Sequence, residues 1–114
     1  MEPKKKTILF LSEGSLFCEF AKECFKQDGH EFFDFCNWND CKGQILDLSP
    51  DAILVDLDNY PIESLSEISS SYKIIGFYSD YLESVVEGLT IDGLIKKPLT
   101  PTEIVSKPLS LLES

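Results

Sequence analysis

Short apolar runs alternate along this chain with segments of helical period. Thr7-Ile8-Leu9-Phe10-Leu11 is an unbroken apolar run, as expected of a strand covered on both faces. From Ser15 to Asp28 the period changes. Leu16, Phe17, Phe20, Ala21, Cys24 and Phe25 form one stripe, and Glu19, Lys22, Glu23 and Lys26 lie away from it. Gly29 stands where a glycine ends a helix. Glu31 to Cys36, rich in phenylalanine, reads as a second strand. Asp40 to Leu48 reads as a weaker helix with Cys41, Ile45 and Leu48 on one face, stopped by Ser49-Pro50.

Ala52-Ile53-Leu54-Val55 is another buried strand, and it runs into Asp56-Leu57-Asp58-Asn59. Pro61 opens a short third helix with Ile62, Leu65 and Ile68 on one side. Lys73 to Tyr78 is the fourth strand. Asp80 and Glu83 pair as the capping box of a fourth helix that buries Leu82, Val85, Val86 and Leu89. Leu94-Ile95 is the heart of a short fifth strand. Thr100-Pro101-Thr102-Glu103 then starts a last helix with a cap, a proline at the first position and a glutamate at the third. Pro108 is expected to bend or break that helix.

Five strands thus alternate with five helices. The expected fold is α/β: a (βα)5, doubly wound, five-stranded parallel sheet with helices on both faces. Strand order does not follow from the pattern. A chain of 114 residues is expected to form one domain, 1–114, and to bury roughly 65% of its unfolded surface without help from metals or disulfides. No apolar run is long enough to span a bilayer. Lys4-Lys5-Lys6 is followed only by Ile8-Leu9-Phe10-Leu11, too short for a signal sequence. The expected compartment is the reducing cytoplasm, with the four cysteines as thiols and no membrane partner.

Charge narrows the function classes. Twenty acids oppose ten bases, a formal charge of −10, so nucleic acid is not an expected partner. All ten bases are lysines, and bidentate clamping of phosphate is an arginine task. A thiol phosphatase with an arginine six residues after the cysteine is excluded, because Cys24 stands six residues after Cys18.

In parallel α/β sheets, ligands and chemistry gather at the C-terminal strand ends. Those ends supply Ser12-Glu13, Asn37, Asp56-Leu57-Asp58, Tyr78-Ser79-Asp80 and Lys97-Pro98. Two stretches, Ser49 to Asp56 and Gly93 to Pro98, resemble the third and fifth strands of response-regulator receiver domains, the CheY-like members of the flavodoxin-like fold. Element order and spacing resemble that family over the whole chain.

The resemblance implies a phosphoacceptor at Asp56, with Lys97 paired to it and later to the phosphoryl oxygens. It implies weak magnesium binding by Glu13, Asp56 and the backbone carbonyl of Asp58. It also implies a cis Lys97-Pro98 bond and no enzymatic turnover beyond self-catalysed phosphoryl transfer. The implied partners are a histidine kinase or phosphotransfer protein upstream and a protein target downstream. With only one helix after Lys97, the chain reads as an atypical stand-alone member with no appended output domain. A homodimer through the fourth helix, fifth strand and fifth helix is an open alternative.

Departures from the family are as informative. Ser12 replaces the first acid of the usual pair, Tyr78 stands at the small hydroxyl position, and Leu94 replaces the switch aromatic. The tyrosine hydroxyl would overshoot a phosphoryl group on Asp56, so Ser79 or a backbone amide would have to substitute. The usual hydroxyl–aromatic relay through Tyr78 and Leu94 is therefore not expected to operate. A phosphorylation-independent pseudo-receiver module remains the alternative function. A flavodoxin-type cofactor protein is disfavoured, because Ser12-Glu13-Gly14-Ser15 carries an acid where bare amides would cradle phosphate.

Plainer roles are expected elsewhere. Asp58 and Asp80 read as loop acids in their side chains, and His30 as a surface residue after the helix-ending glycine. Cys36 and Cys41 read as structural rather than metal-ligating, and Trp38 as half buried. Asp56 could instead cap a helix, and Glu13 could answer a helix dipole.

Overall fold

The computed structural model describes residues 5–12, 16–36, 38–58, 72–79 and 92–113, together with their side chains except those of Trp38 and Glu113. Five strands are present: β1 (Thr7–Leu11), β2 (Glu31–Phe35), β3 (Ala52–Asp56), β4 (Ile74–Tyr78) and β5 (Gly93–Lys96). They form one sheet in the order β2-β1-β3-β4-β5, and every pairing is parallel. The order reverses between β1 and β3, which makes that crevice the topological switch point of the sheet. The expected third and fourth helices, with the Asp80–Glu83 capping box, lie outside the described residues.

Side-chain alternation sorts the strands into two apolar layers. Ile8, Phe10, Phe32, Leu54, Ile75 and Phe77 face one way and pack against α1 (Leu16–Gln27) and the C-terminal helix (Pro101–Glu113). Leu9, Leu11, Ile53, Val55 and Ile74 face the other way, with Cys41 and Ile45 from two short helices, α2 (Trp38–Lys42) and α3 (Ile45–Leu48). β3 is buried along its whole length, as a central parallel strand covered on both faces must be.

Helix α1 ends where the glycine predicts, and its ending explains a residue that the sequence misplaces. Gly29 takes φ 86°; its N–H donates to Lys26 O and the His30 N–H donates to Phe25 O, both at 3.0 Å. This is the Schellman ending, in which the residue after the glycine folds back onto the helix. His30 is that residue. It is therefore buried against the Phe25 ring, with Nδ1 accepting the Lys6 N–H at 3.0 Å, and is not on the surface.

Three further expectations need correction. Leu16 opens the predicted stripe yet is 89% exposed, because it lies at the first position of the helix, before the stripe meets the sheet. The helix expected over Asp40–Leu48 is split at Gly43-Gln44, where glycine weakens helical continuity. The last helix does not end at Pro108. It runs to Glu113 with the ring buried, held down by Ile104 and Val105 before it and by Leu109, Leu111 and Leu112 after it. Its start is as read: the Glu103 N–H donates to Thr100 Oγ1 at 3.1 Å, and the Thr100 N–H donates to Glu103 Oε1 at 3.0 Å.

Candidate functional site

Asp56 is the last residue of β3 and is fully buried, on the same face of the sheet as its β4 partner Phe77. A buried carboxylate is costly unless a cation and hydrogen bonds compensate it. Lys97, one residue beyond β5, supplies the cation: its Nζ lies 2.8 Å from Asp56 Oδ1. The backbone aims this side chain across the strand ends. The Lys97 N–H donates to Tyr78 O at 2.7 Å, and the following Lys97–Pro98 bond is cis, as the resemblance implied.

The side chain of Asp58 is part of this arrangement and is not a plain loop acid. Its Oδ2 lies 2.9 Å from Lys97 Nζ, so one ammonium bridges two carboxylates. Asp58 Oδ1 accepts the Ser79 backbone N–H at 3.2 Å. The Asp58 N–H donates to Asp56 Oδ1 at 3.2 Å, closing a tight turn after the strand. Partial burial pushes the Asp58 carboxyl up, but the hydrogen bonds from Lys97 and Ser79 outweigh that and hold it below the usual carboxylate range. The acid at i+2 from a strand-terminal acid was the sequence signal for this contact. It was masked by the ease with which any loop acid can point to water.

Phe17 is the second residue that sequence reasoning missed. The Lys97 ammonium lies 4.2 Å from the centroid of its ring, within cation–π distance. Phe17 in turn packs on Phe77 with ring centroids 5.0 Å apart. Apart from its place in the stripe of α1, no sequence feature distinguishes it.

The remaining site residues stand as follows. Ser12 is buried at the end of β1, with its N–H donating to Phe35 O at 3.1 Å. Glu13 lies outside the described residues. Ser79 is exposed beside Asp58. Tyr78 is half buried against the layer containing Leu11 and Val55, whereas Leu94 is 44% exposed on β5. Gly76 is the β4 partner of Leu94: a Cβ there would meet Leu57 Cδ1 at 2.7 Å and Leu94 Cδ2 at 3.4 Å.

Two of the cysteines are not poised for chemistry. Burial, aided by nearby acids, pushes the Cys18 thiol up to about 12, and burial alone pushes Cys41 up to about 11. Neither is an accessible thiolate near neutral pH. Cys36 is exposed, and no disulfide links the four. Among the described residues no group of three or more His, Cys, Asp or Glu side chains could hold a metal ion, and no helix is long and apolar enough to cross a membrane.

The sequence matches no protein-family model and no curated protein. Solved structures are similar over nearly the whole chain. The chemotaxis response regulator CheY4 of Vibrio cholerae superposes with a TM-score of 0.78 at 13% identity, covering 95% of this chain and 99% of that one. The signal receiver domain of a modulated diguanylate cyclase from Desulfovibrio desulfuricans gives 0.78 at 17% identity, covering 96% and 95%. NtrX from Brucella abortus gives 0.81 at 16% identity, covering 96% of this chain and 27% of that longer one. The fold is that of the CheY-like response-regulator receiver domains.

Proposed function

We propose that this protein is an atypical phosphoacceptor receiver of a two-component relay, with Asp56 as the acceptor. The observation that carries this reading is a fully buried carboxylate at the end of the central strand, beside the switch point, 2.8 Å from Lys97 Nζ. Strand-end carboxylates held by a lysine match the demands of phosphoryl transfer, which is mainly positioning and charge neutralisation.

In the transfer, an Asp56 carboxylate oxygen forms a bond to phosphorus as the P–N bond of a donor phosphohistidine breaks. The bonding pair stays with the imidazole nitrogen, which takes a proton from solvent. Lys97 offsets charge on the transferring oxygens. The donor would be a histidine kinase or a phosphotransfer protein, and the output would pass to a protein target in the cytoplasm. A net charge of −10 argues against nucleic acid as that target.

Magnesium would be held by Asp56, the Asp58 carbonyl and Glu13. The described residues fit it only in part: the Lys97 ammonium already engages both carboxylates and would compete with the cation, and Glu13 lies outside the described residues. No step is therefore routed through the ion. The expected result is weak magnesium binding that strengthens about tenfold in Ser12→Asp, through one added carboxylate. Titration followed by amide chemical shifts checks this, and equal affinities would place Ser12 away from the cation.

A pseudo-receiver is the second reading, favoured by Tyr78 and Leu94 at the two switch positions. Beryllofluoride, a phosphoryl mimic, separates the two. Added with magnesium, it is expected to move the amide resonances of Asp56, Asp58 and Ser79. A spectrum without change supports the pseudo-receiver.

A further inference from the structure

We propose that Asp58 is a charge-displaced latch, which holds Lys97 and Ser79 in the resting protein and lets go when Asp56 is phosphorylated. The inference rests on the receiver reading and adds its means of switching. At rest, Asp56 and Asp58 share one ammonium, at 2.8 and 2.9 Å, so the triad carries a net charge of −1. The same Asp58 carboxylate accepts the backbone N–H of Ser79, the residue that follows β4, at 3.2 Å. Asp58 thus ties the acceptor's lysine to the end of the neighbouring strand.

Phosphorylation replaces the Asp56 charge with a phosphoryl group of about −1.5 to −2. Coulomb attraction grows with charge, so the ammonium follows the phosphoryl oxygens. Asp58 is then an uncompensated acid beside a larger negative charge, and it is driven outward. The chain contains no arginine to take the place of Lys97. Departure of Asp58 releases the Ser79 amide at the end of β4. This route uses neither Tyr78, which is packed against the Leu11 and Val55 layer, nor Leu94, which is 44% exposed. A packed element responds to a ligand when the ligand distinguishes two arrangements, and the two partners of Lys97 provide such a pair.

Asp58→Asn tests the latch, because it keeps the size and removes the charge. In the resting variant the Ser79 amide proton is expected to move upfield and exchange faster, while Ile75 and Phe77 in the strand stay put. Beryllofluoride with magnesium is expected to bind the variant about tenfold more tightly than the wild type, since a competing charge beside the phosphoryl site is gone. Asp58→Glu, which keeps the charge, is expected to bind it like the wild type. An unmoved Ser79 amide overturns the latch. So does fluoride binding that is unchanged or weaker in Asp58→Asn, which would make Asp58 a supporting group or a cation ligand. Glu and Asn variants that behave alike overturn it too, since shape and not charge would then matter. If Ser79 responds but neither wild type nor Asp58→Asn binds fluoride, the receiver reading itself fails and Asp58 is only a structural bridge.

Discussion

Replacing Lys97 by methionine is expected to lower the free energy of unfolding by about 3 kcal/mol. That is far more than the loss of a surface lysine, because the partner left behind is Asp56, which has no solvent exposure. Methionine keeps an unbranched stem of similar length, so the packing loss is small and loss of the ammonium, which also lies over the Phe17 ring, dominates. For a domain of this size the fall in Tm is about 15 °C. Asp56→Asn in the Lys97→Met background is expected to regain most of it, since the carboxylate then left without its ammonium is Asp58, which unlike Asp56 reaches solvent. Urea unfolding of the two single variants and the double variant measures the coupling. Additive losses would show that the 2.8 Å pair contributes nothing to stability.

Phe10→Ala is expected to cost about 3–5 kcal/mol. Phe10 is fully buried at the centre of an aromatic cluster, with centroids 6.1 Å from Phe17, 5.7 Å from Phe32 and 6.1 Å from Phe77. Small domains have only about 5–15 kcal/mol in total, so much of this variant is expected to unfold near 37 °C by circular dichroism. The cluster also carries the site, because Phe17 and Phe77 are the floor beneath Lys97 and Asp56. Leu16→Ala, one residue from Phe17 but 89% exposed, is the control and is expected to change stability by less than about 0.5 kcal/mol. Equal effects at positions 10 and 16 would mean that the helix sits on the sheet differently from the structure.

Most of the strands were legible as short apolar runs, and the pattern put Asp56 and Lys97 at strand ends, where the family resemblance gave them their roles. Gly29 and Thr100 were legible because helix ends need specific backbone chemistry that few residues supply. The misses share a physical cause: each depended on what a residue meets in space. His30 follows a glycine, which reads as surface, but the Schellman turn folds it onto Phe25. Pro108 breaks helices in isolation, yet here the flanking apolar residues hold both halves on the core. Asp58 and Phe17 join the site only because β3, α1 and the end of β5 converge, and no spacing in the chain encodes that convergence.

The phosphoacceptor reading stands only if Asp56 accepts a phosphoryl group. Intact mass after incubation with phosphoramidate and magnesium tests that claim without any partner protein. The account predicts the mass of one added phosphoryl group, mapped to Asp56, labile to hydroxylamine as an acyl phosphate should be, and absent from Asp56→Asn. An unmodified wild-type protein, or a phosphoryl group that persists in Asp56→Asn, would contradict it.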